Sequence, residues 1–218
     1  MDNILSSIYF VTNENTRTLS FYGTEGKVKG VFYPKNEREL INVYNYLKIN
    51  NMPFKIVGNG SNLLFSPKSE DIVVLSTKLM DKKINFKGDK VYFSSAVSMP
   101  MLYRRCYEKA LGGLEEFSCI PGTMGGLIKM NAGAYGKSIF DILDKIRVLQ
   151  NGKVKTLNKT QVEFGYHQTN LGDSLILGGS ILLTKASKCE IIKKHTAMVN
   201  DRLLHQPSGR CCGSVFKN

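Results

Sequence analysis

The chain has 218 residues, 42% of them hydrophobic, and a formal net charge of +12. That hydrophobic share supports a buried core and excludes a wholly disordered chain, while lysines scattered along the sequence fit either a lysine-rich composition or a phosphate-rich ligand rather than a nucleic-acid partner. No apolar run reaches the ~18–20 residues of a membrane helix, and the opening MDNILSSIYF is not a secretory signal, so a cytoplasmic location and no membrane contact are expected.

Strand and helix signals alternate. Residues 28–33 read as a strand ended by Pro34. Asn36 is an N-cap with Glu39 three residues on, and Leu40, Val43, Tyr44 and Leu47 recur at helical spacing. Asn50, Asn51 and Pro53 stop that helix. Residues 54–57 and 72–75 are short apolar strands, an opening order of α/β character. Gly88-Asp89 predicts a hairpin between 83–86 and 91–95, and Ser98 and Pro100 open a helix expected to run to Leu111 and close at Gly112-Gly113. Asn151-Gly152 is the strongest short hairpin signal, between 146–149 and 154–157. Residues 174–184 form a last apolar strand. Residues 188–204 form a last helix, with Ile191, Ile192, His195, Met198 and Val199 on or near its buried face.

Five cysteines, none in a CxxC pair, do not suggest a disulfide framework. The vicinal pair Cys211-Cys212 lacks a second thiol pair or a histidine cluster beside it, and no metal site is expected. The chain stops at Asn218, two residues after the apolar pair Val215-Phe216, an ending expected of a fragment.

Two glycine-rich stretches carry the chemistry. VGNGSNLLF, residues 57–65, follows a strand. Gly58 and Gly60 let the backbone turn tightly, its N–H groups can cradle an anion, and Ser61 and Asn62 add donors. It is not the dinucleotide fingerprint, because Leu63 stands where a third glycine belongs; an ordinary strand-to-loop turn is the competing reading. SCIPGTMGGLIKMNAGAYG, residues 118–136, holds five glycines in nineteen residues among apolar neighbours. That mixture suits a packed loop whose glycines admit close approach of a large cofactor.

Together these stretches resemble the GGGSNLL and IPGTVGGA…NAGAYG signatures of UDP-N-acetylenolpyruvoylglucosamine reductases. The terminal QPSGRCCGSVFKN, residues 206–218, is similar to that family's QP…GS(V/F/I)FKNP block. All three occur in family order, over residues 28–218. The resemblance implies an α+β protein with the FAD-binding fold of the vanillyl-alcohol oxidase type. Two α/β subdomains, residues 1–77 and 78–186, would clamp FAD, and residues 187–218 would begin an incomplete substrate-binding domain. It implies FAD as cofactor, NADPH as hydride donor and a UDP-sugar substrate, with UDP-N-acetylmuramate as the product for peptidoglycan synthesis.

Carried over by motif, cofactor contacts fall on Gly58, Asn59, Gly60, Ser61, Asn62 and Leu63, and on Ser118, Ile120, Pro121, Gly122, Thr123, Gly125, Gly126, Asn131 and Gly133. Ser214 matches the family's proton-donating serine; Tyr166, Lys217 and Asn218 match substrate contacts. FGYHQTNL departs from the family's Tyr-Arg-x-Ser: His167 stands at the catalytic arginine and Thr169 at the serine. A histidine can give a proton or one hydrogen bond but not arginine's planar fork. An active variant using His167, a weakened enzyme and a local misalignment all remain open, with Arg210 close to Ser214 as another cation. Residues 16–30 keep Phe21 and Gly26 of the family's Thr-x-Phe-Arg-x-Gly-Gly but lack its arginine and double glycine. No glutamate present matches the family's catalytic one.

Overall fold

The structure, a computed structural model, describes Leu5, residues 7–206, residues 209–210 and Gly213. The chain divides into two compact units, residues 1–81 with 209–218, and residues 82–208.

The first unit is built on a four-stranded sheet. Strand β1 (Tyr9–Thr12) pairs antiparallel with β2 (Lys27–Tyr33). Helix α1 (Glu37–Ile49) and strand β3 (Phe54–Val57) follow, and β4 (Ser69–Ser76) inserts between β2 and β3, parallel to both. The expected cap of α1 is present: Asn36 Oδ1 accepts the Glu39 N–H at 3.0 Å. Glu39 returns its carboxylate to Lys35 N at 2.7 Å and to the Asn36 side chain at 2.8 Å, so the reciprocal bond falls one residue earlier than in a capping box. Leu40, Val43, Tyr44 and Leu47 are buried, as their spacing predicts. Asn51, in the left-handed region at φ 49, turns the chain away beyond the helix. Val28, Val31, Val57, Phe65 and Val74 form a small core with Leu19.

In the second unit β5 (Ile84–Lys87) and β6 (Lys90–Ser94) form the first hairpin, with Gly88 at φ 59. Helix α2 (Met99–Glu108) is shorter than predicted. Ala110 adopts φ 56 and ends it, and β7 (Leu111–Gly112) continues as an extended segment rather than a glycine cap. Helix α3 (Met124–Lys129), the small hairpin β8 (Gly133–Ala134) and β9 (Lys137–Ser138), and helix α4 (Ile139–Ile142) follow. The long hairpin β10 (Leu143–Gln150) and β11 (Lys153–Asn158) turns at Asn151 and Gly152, φ 51 and 71, the double positive φ that this dipeptide favours. A two-residue hairpin joins β12 (Phe164–Gly165) to β13 (Gln168–Thr169). Strand β14 (Leu175–Leu182) lies at the centre of an antiparallel sheet of order β11-β10-β14-β6-β5, which explains why all of it but Leu182 is buried. Strand β15 (Thr184–Lys185) pairs with β7, and helix α5 (Lys188–His205) closes the unit. Its core includes Leu102, Phe117, Met124, Ile128, Phe140, Ile146 and Ile181, each fully buried side chain contributing about 1.5–3 kcal/mol. Ile191 is buried, but Ile192 is 42% exposed: position 192 has rotated off the inner face of α5, contrary to expectation.

Candidate functional site: two glycine-rich loops

The first loop leaves the C-terminal end of β3, the end of a parallel sheet where ligands are received. Its shape is set by the segment before β2. Phe21 N donates to Gly60 O at 3.0 Å, Thr24 Oγ1 to Phe65 O at 2.9 Å, and Ser20 Oγ to Leu63 O. Gly60 has φ 68, and a Cβ there would stand 2.0 Å from Leu19 O. No other residue fits, because the backbone is left-handed and another strand of backbone fills the side-chain space. Gly58 and Ser61 are half-buried, while Asn59 and Asn62 are exposed. The 16–30 stretch, which lacks the family's arginine and double glycine, therefore braces the loop. Thr16, fully buried, organises it by donating to Thr24 O at 2.7 Å and accepting from Gly26 N at 2.9 Å. The Arg210 guanidinium lies over Gly23, where a Cβ would come 2.3 Å from Nη1.

The second loop lies beside the turn between β6 and α2. Met99 N donates to Gly122 O at 3.1 Å, Met124 N to Val97 O at 2.8 Å, and Gly125 N to Ser95 O at 2.9 Å. These bonds spend the Met124 and Gly125 amides inside the protein. Gly125 is a packing glycine: its Cβ would meet Ser95 Cβ at 2.9 Å. Gly126, in contrast, is exposed, and an added Cβ there would meet only Thr123 Oγ1 at 3.6 Å. Gly122 and Thr123 are buried, and Ile120 and Pro121 are half-buried. Ser118 is buried with its hydroxyl committed, donating to Glu115 O at 2.7 Å and meeting His195 Nδ1 at 2.9 Å. Gly133 opens β8, and a Cβ there would stand 2.5 Å from Lys137 O.

Asn131, φ 41, ties this loop to the β12–β13 hairpin through Nδ2 to Gly165 O at 2.9 Å. Thr169, at the serine position of the motif, donates to Lys129 O at 2.9 Å. Lys129 Nζ in turn donates to Gly172 O, and burial pushes its ammonium pKa down, against the opposing pull of Asp173. Tyr166 and His167 form the exposed turn of this hairpin, with His167 at φ 54 and the two rings edge to face at 4.1 Å. Ser214, Lys217, Asn218 and the Cys211-Cys212 pair lie outside the described residues.

Two buried atoms beside α3 have no hydrogen-bond partner: Ser95 Oγ and Asn131 Oδ1. An orphaned buried polar atom costs about 1–3 kcal/mol, which a polar ligand reaching it would recover. Ser95 carries no motif signal in the sequence; it is found only through its contact with Gly125. Among the described residues there is no group of three or more His, Cys, Asp or Glu able to hold a metal ion, and no helix long and apolar enough to cross a membrane.

Residues 28–158, which include both glycine-rich loops, match the family model described as FAD binding domain. The chain is 36% identical over 219 residues to the UDP-N-acetylenolpyruvoylglucosamine reductase of Petrotoga mobilis, covering 94% of this chain and 70% of that protein. It is 33% identical to the enzyme of the same name from Chloroherpeton thalassium, covering 88% of this chain and 63% of that protein, so the chain spans about two thirds of such relatives. Among solved structures, the UDP-N-acetylenolpyruvylglucosamine reductase of Thermus caldophilus superposes with a TM-score of 0.81 at 23% identity, over 97% of this chain and 74% of that one. Cholesterol oxidase from Brevibacterium sterolicum reaches a TM-score of 0.61 over 84% of this chain and 39% of that one. The fold is the FAD-binding fold of the vanillyl-alcohol oxidase type, and the cofactor is FAD. Within the second unit, the exposed Gly126 and the orphaned Ser95 and Asn131 atoms leave open backbone and unsatisfied polar groups that a polar ligand can meet. With 36% identity reaching across 70% of a curated relative and an FAD binding domain over most of its length, this chain belongs to the UDP-N-acetylenolpyruvoylglucosamine reductase family.

Proposed function

We propose that the chain carries the FAD-binding part of a reductase that uses NADPH to convert UDP-N-acetylglucosamine enolpyruvate into UDP-N-acetylmuramate, a cytoplasmic step of peptidoglycan precursor synthesis. The observation that carries this reading is the presence of both glycine-rich signatures, in family order, inside one FAD binding domain match.

In this reading Gly58–Leu63 holds the cofactor's diphosphate with backbone N–H groups and with Ser61 and Asn62. The stretch from Ile120 to Gly133 holds a second face of it, with Ser95 and Asn131 supplying polar atoms. Residues 1–77 and 78–186 form the two cofactor-binding subdomains, and residues 187–218 lead into the substrate-binding one. FAD, when bound, supplies the hydride carrier between NADPH and the enolpyruvyl double bond. Ser214 gives its hydroxyl proton to the carbon next to the one that receives hydride. A serine is a weak acid, so this needs a dry site with donors aimed at the developing charge. Tyr166, Lys217 and Asn218 orient the UDP-sugar, and His167 gives its carboxylate a single hydrogen bond.

The test is to incubate the protein with FAD, desalt it and record the absorbance spectrum. Retained oxidised-flavin bands are expected. Their loss both here and in a chain extended to the relatives' length would refute the cofactor site. A second reading, an FAD-binding homologue with impaired catalysis, is favoured by one observation: His167, in place of the family arginine, sits on an exposed turn. Flavin retained by the extended chain but never oxidised by the UDP-sugar after NADPH reduction would select it.

A further inference from the structure

Helix α5 has 18 residues and buries only Ile191. One apolar anchor leaves a helix free to rotate or slide, so its polar contacts decide its place. Two of them reach the second glycine-rich signature one helical turn apart. His195 Nδ1 lies 2.9 Å from Ser118 Oγ, and Tyr135 OH donates to Met198 O at 3.1 Å. The His195 ring also stacks on Tyr103, with centroids 4.5 Å apart and planes at 22°.

The Ser118 contact determines which nitrogen of His195 carries hydrogen. A serine hydroxyl has one proton. Ser118, only 4% exposed, gives it to Glu115 O at 2.7 Å. The hydrogen in the bond to His195 must then come from the imidazole, so Nδ1 is the protonated nitrogen and Ser118 Oγ accepts.

We infer that His195 is a positioning residue for the second cofactor loop: as the Nδ1–H tautomer it pins Ser118, and with it the start of the Ser118–Thr123 turn, to α5. It acts through Ser118 and touches no cofactor. Helix α5 lies beyond the FAD binding domain match, which ends at residue 158, so the brace comes from the stretch that runs on toward Ser214. Ser118, a cofactor contact by motif, thereby becomes the lever of the loop rather than a donor to the ligand. The functional consequence rests on the FAD reading; the tautomer does not.

Two measurements test it. Nitrogen-15 NMR of the histidine-labelled protein, which has three histidines, should show neutral His195 with hydrogen on Nδ1. Loss of the signal in His195→Asn, with the signals of the other two histidines unchanged, assigns it, and an Nε2–H form would overturn the inference. FAD affinity is the second. His195→Asn, whose amide can take the place of Nδ1–H, should bind as the native chain does, and His195→Leu should bind about three- to tenfold more weakly with an unchanged circular dichroism spectrum. Leucine binding as tightly as histidine would overturn the positioning role. If neither this chain nor one extended to the relatives' length binds FAD, the proposed function fails, and the tautomer still decides whether His195 holds Ser118.

Discussion

Ala110 ends α2 in the left-handed region, where its Cβ crowds the following carbonyl. Glycine would relieve about 1–2 kcal/mol of strain and add less than that in unfolded-chain entropy. Ala110→Gly should therefore raise stability by about 0.5 kcal/mol, read as a higher urea midpoint at unchanged m-value; a lower midpoint would contradict the φ at this position. Cys106 is fully buried in the core of the second unit, and burial pushes its thiol from 9.0 up to about 12. In the unfolded chain the thiol ionises first, so the stability it contributes is complete below pH 9.0 and is lost as pH rises toward about 12. Burial and the nearby Glu115 carboxylate likewise push Tyr103 from 10.0 to about 12. Alkaline unfolding should thus begin near pH 9, and Cys106→Ala should flatten the first part of that fall at a cost in absolute stability. An unchanged slope would mean the thiol ionises equally in both states. His167→Arg would restore a planar fork at the motif position. In the chain extended to the relatives' length it should tighten the enolpyruvyl UDP-sugar about tenfold, by flavin fluorescence titration. No change would remove position 167 from the substrate carboxylate.

Elements with purely local signals were legible in the sequence. The Asn36 cap, the amphipathic face of α1 and the Asn151-Gly152 turn each depend on residues within a few positions of one another. The length of α2 was not legible, because Gly112-Gly113 offered a stop signal that β7 instead uses to pair with β15. Strand β14 shows the same limit. Its glycine pair, unremarkable in an apolar run, lies where a Cβ on Gly178 would stand 2.2 Å from Phe93 O and one on Gly179 2.5 Å from Lys145 O. Valine favours strands, yet Gly179→Val should destabilise the second unit by at least about 3 kcal/mol or prevent its folding. Normal stability on thermal denaturation would show that β10 can move aside. In the first unit Gly60→Ala should cost about 2–4 kcal/mol and abolish flavin retention, since Leu19 O occupies the space of the new methyl group.

At the scale of the whole chain, an FAD binding domain match over residues 28–158 predicts stabilisation by ligand. FAD at about a hundred times its Kd should add about 2.7 kcal/mol, seen as a raised melting temperature that adenosine alone does not reproduce. The sequence by itself determined the family, through three motifs in order, together with the elements that carry local signals and the two glycine-rich loops. Such signals survive in sequence because each is a contiguous pattern of residue types. Only the tertiary structure separated packing glycines from open ones, with Gly60 filled by Leu19, Gly125 by Ser95 and Gly126 left exposed. Only the tertiary structure, too, joined Ser118 to His195 across 77 positions and left Ser95 Oγ and Asn131 Oδ1 orphaned beside the second loop. The physical reason is that close approach and hydrogen-bond satisfaction belong to pairs of segments distant in sequence, and neither leaves a mark on the residues of one segment alone.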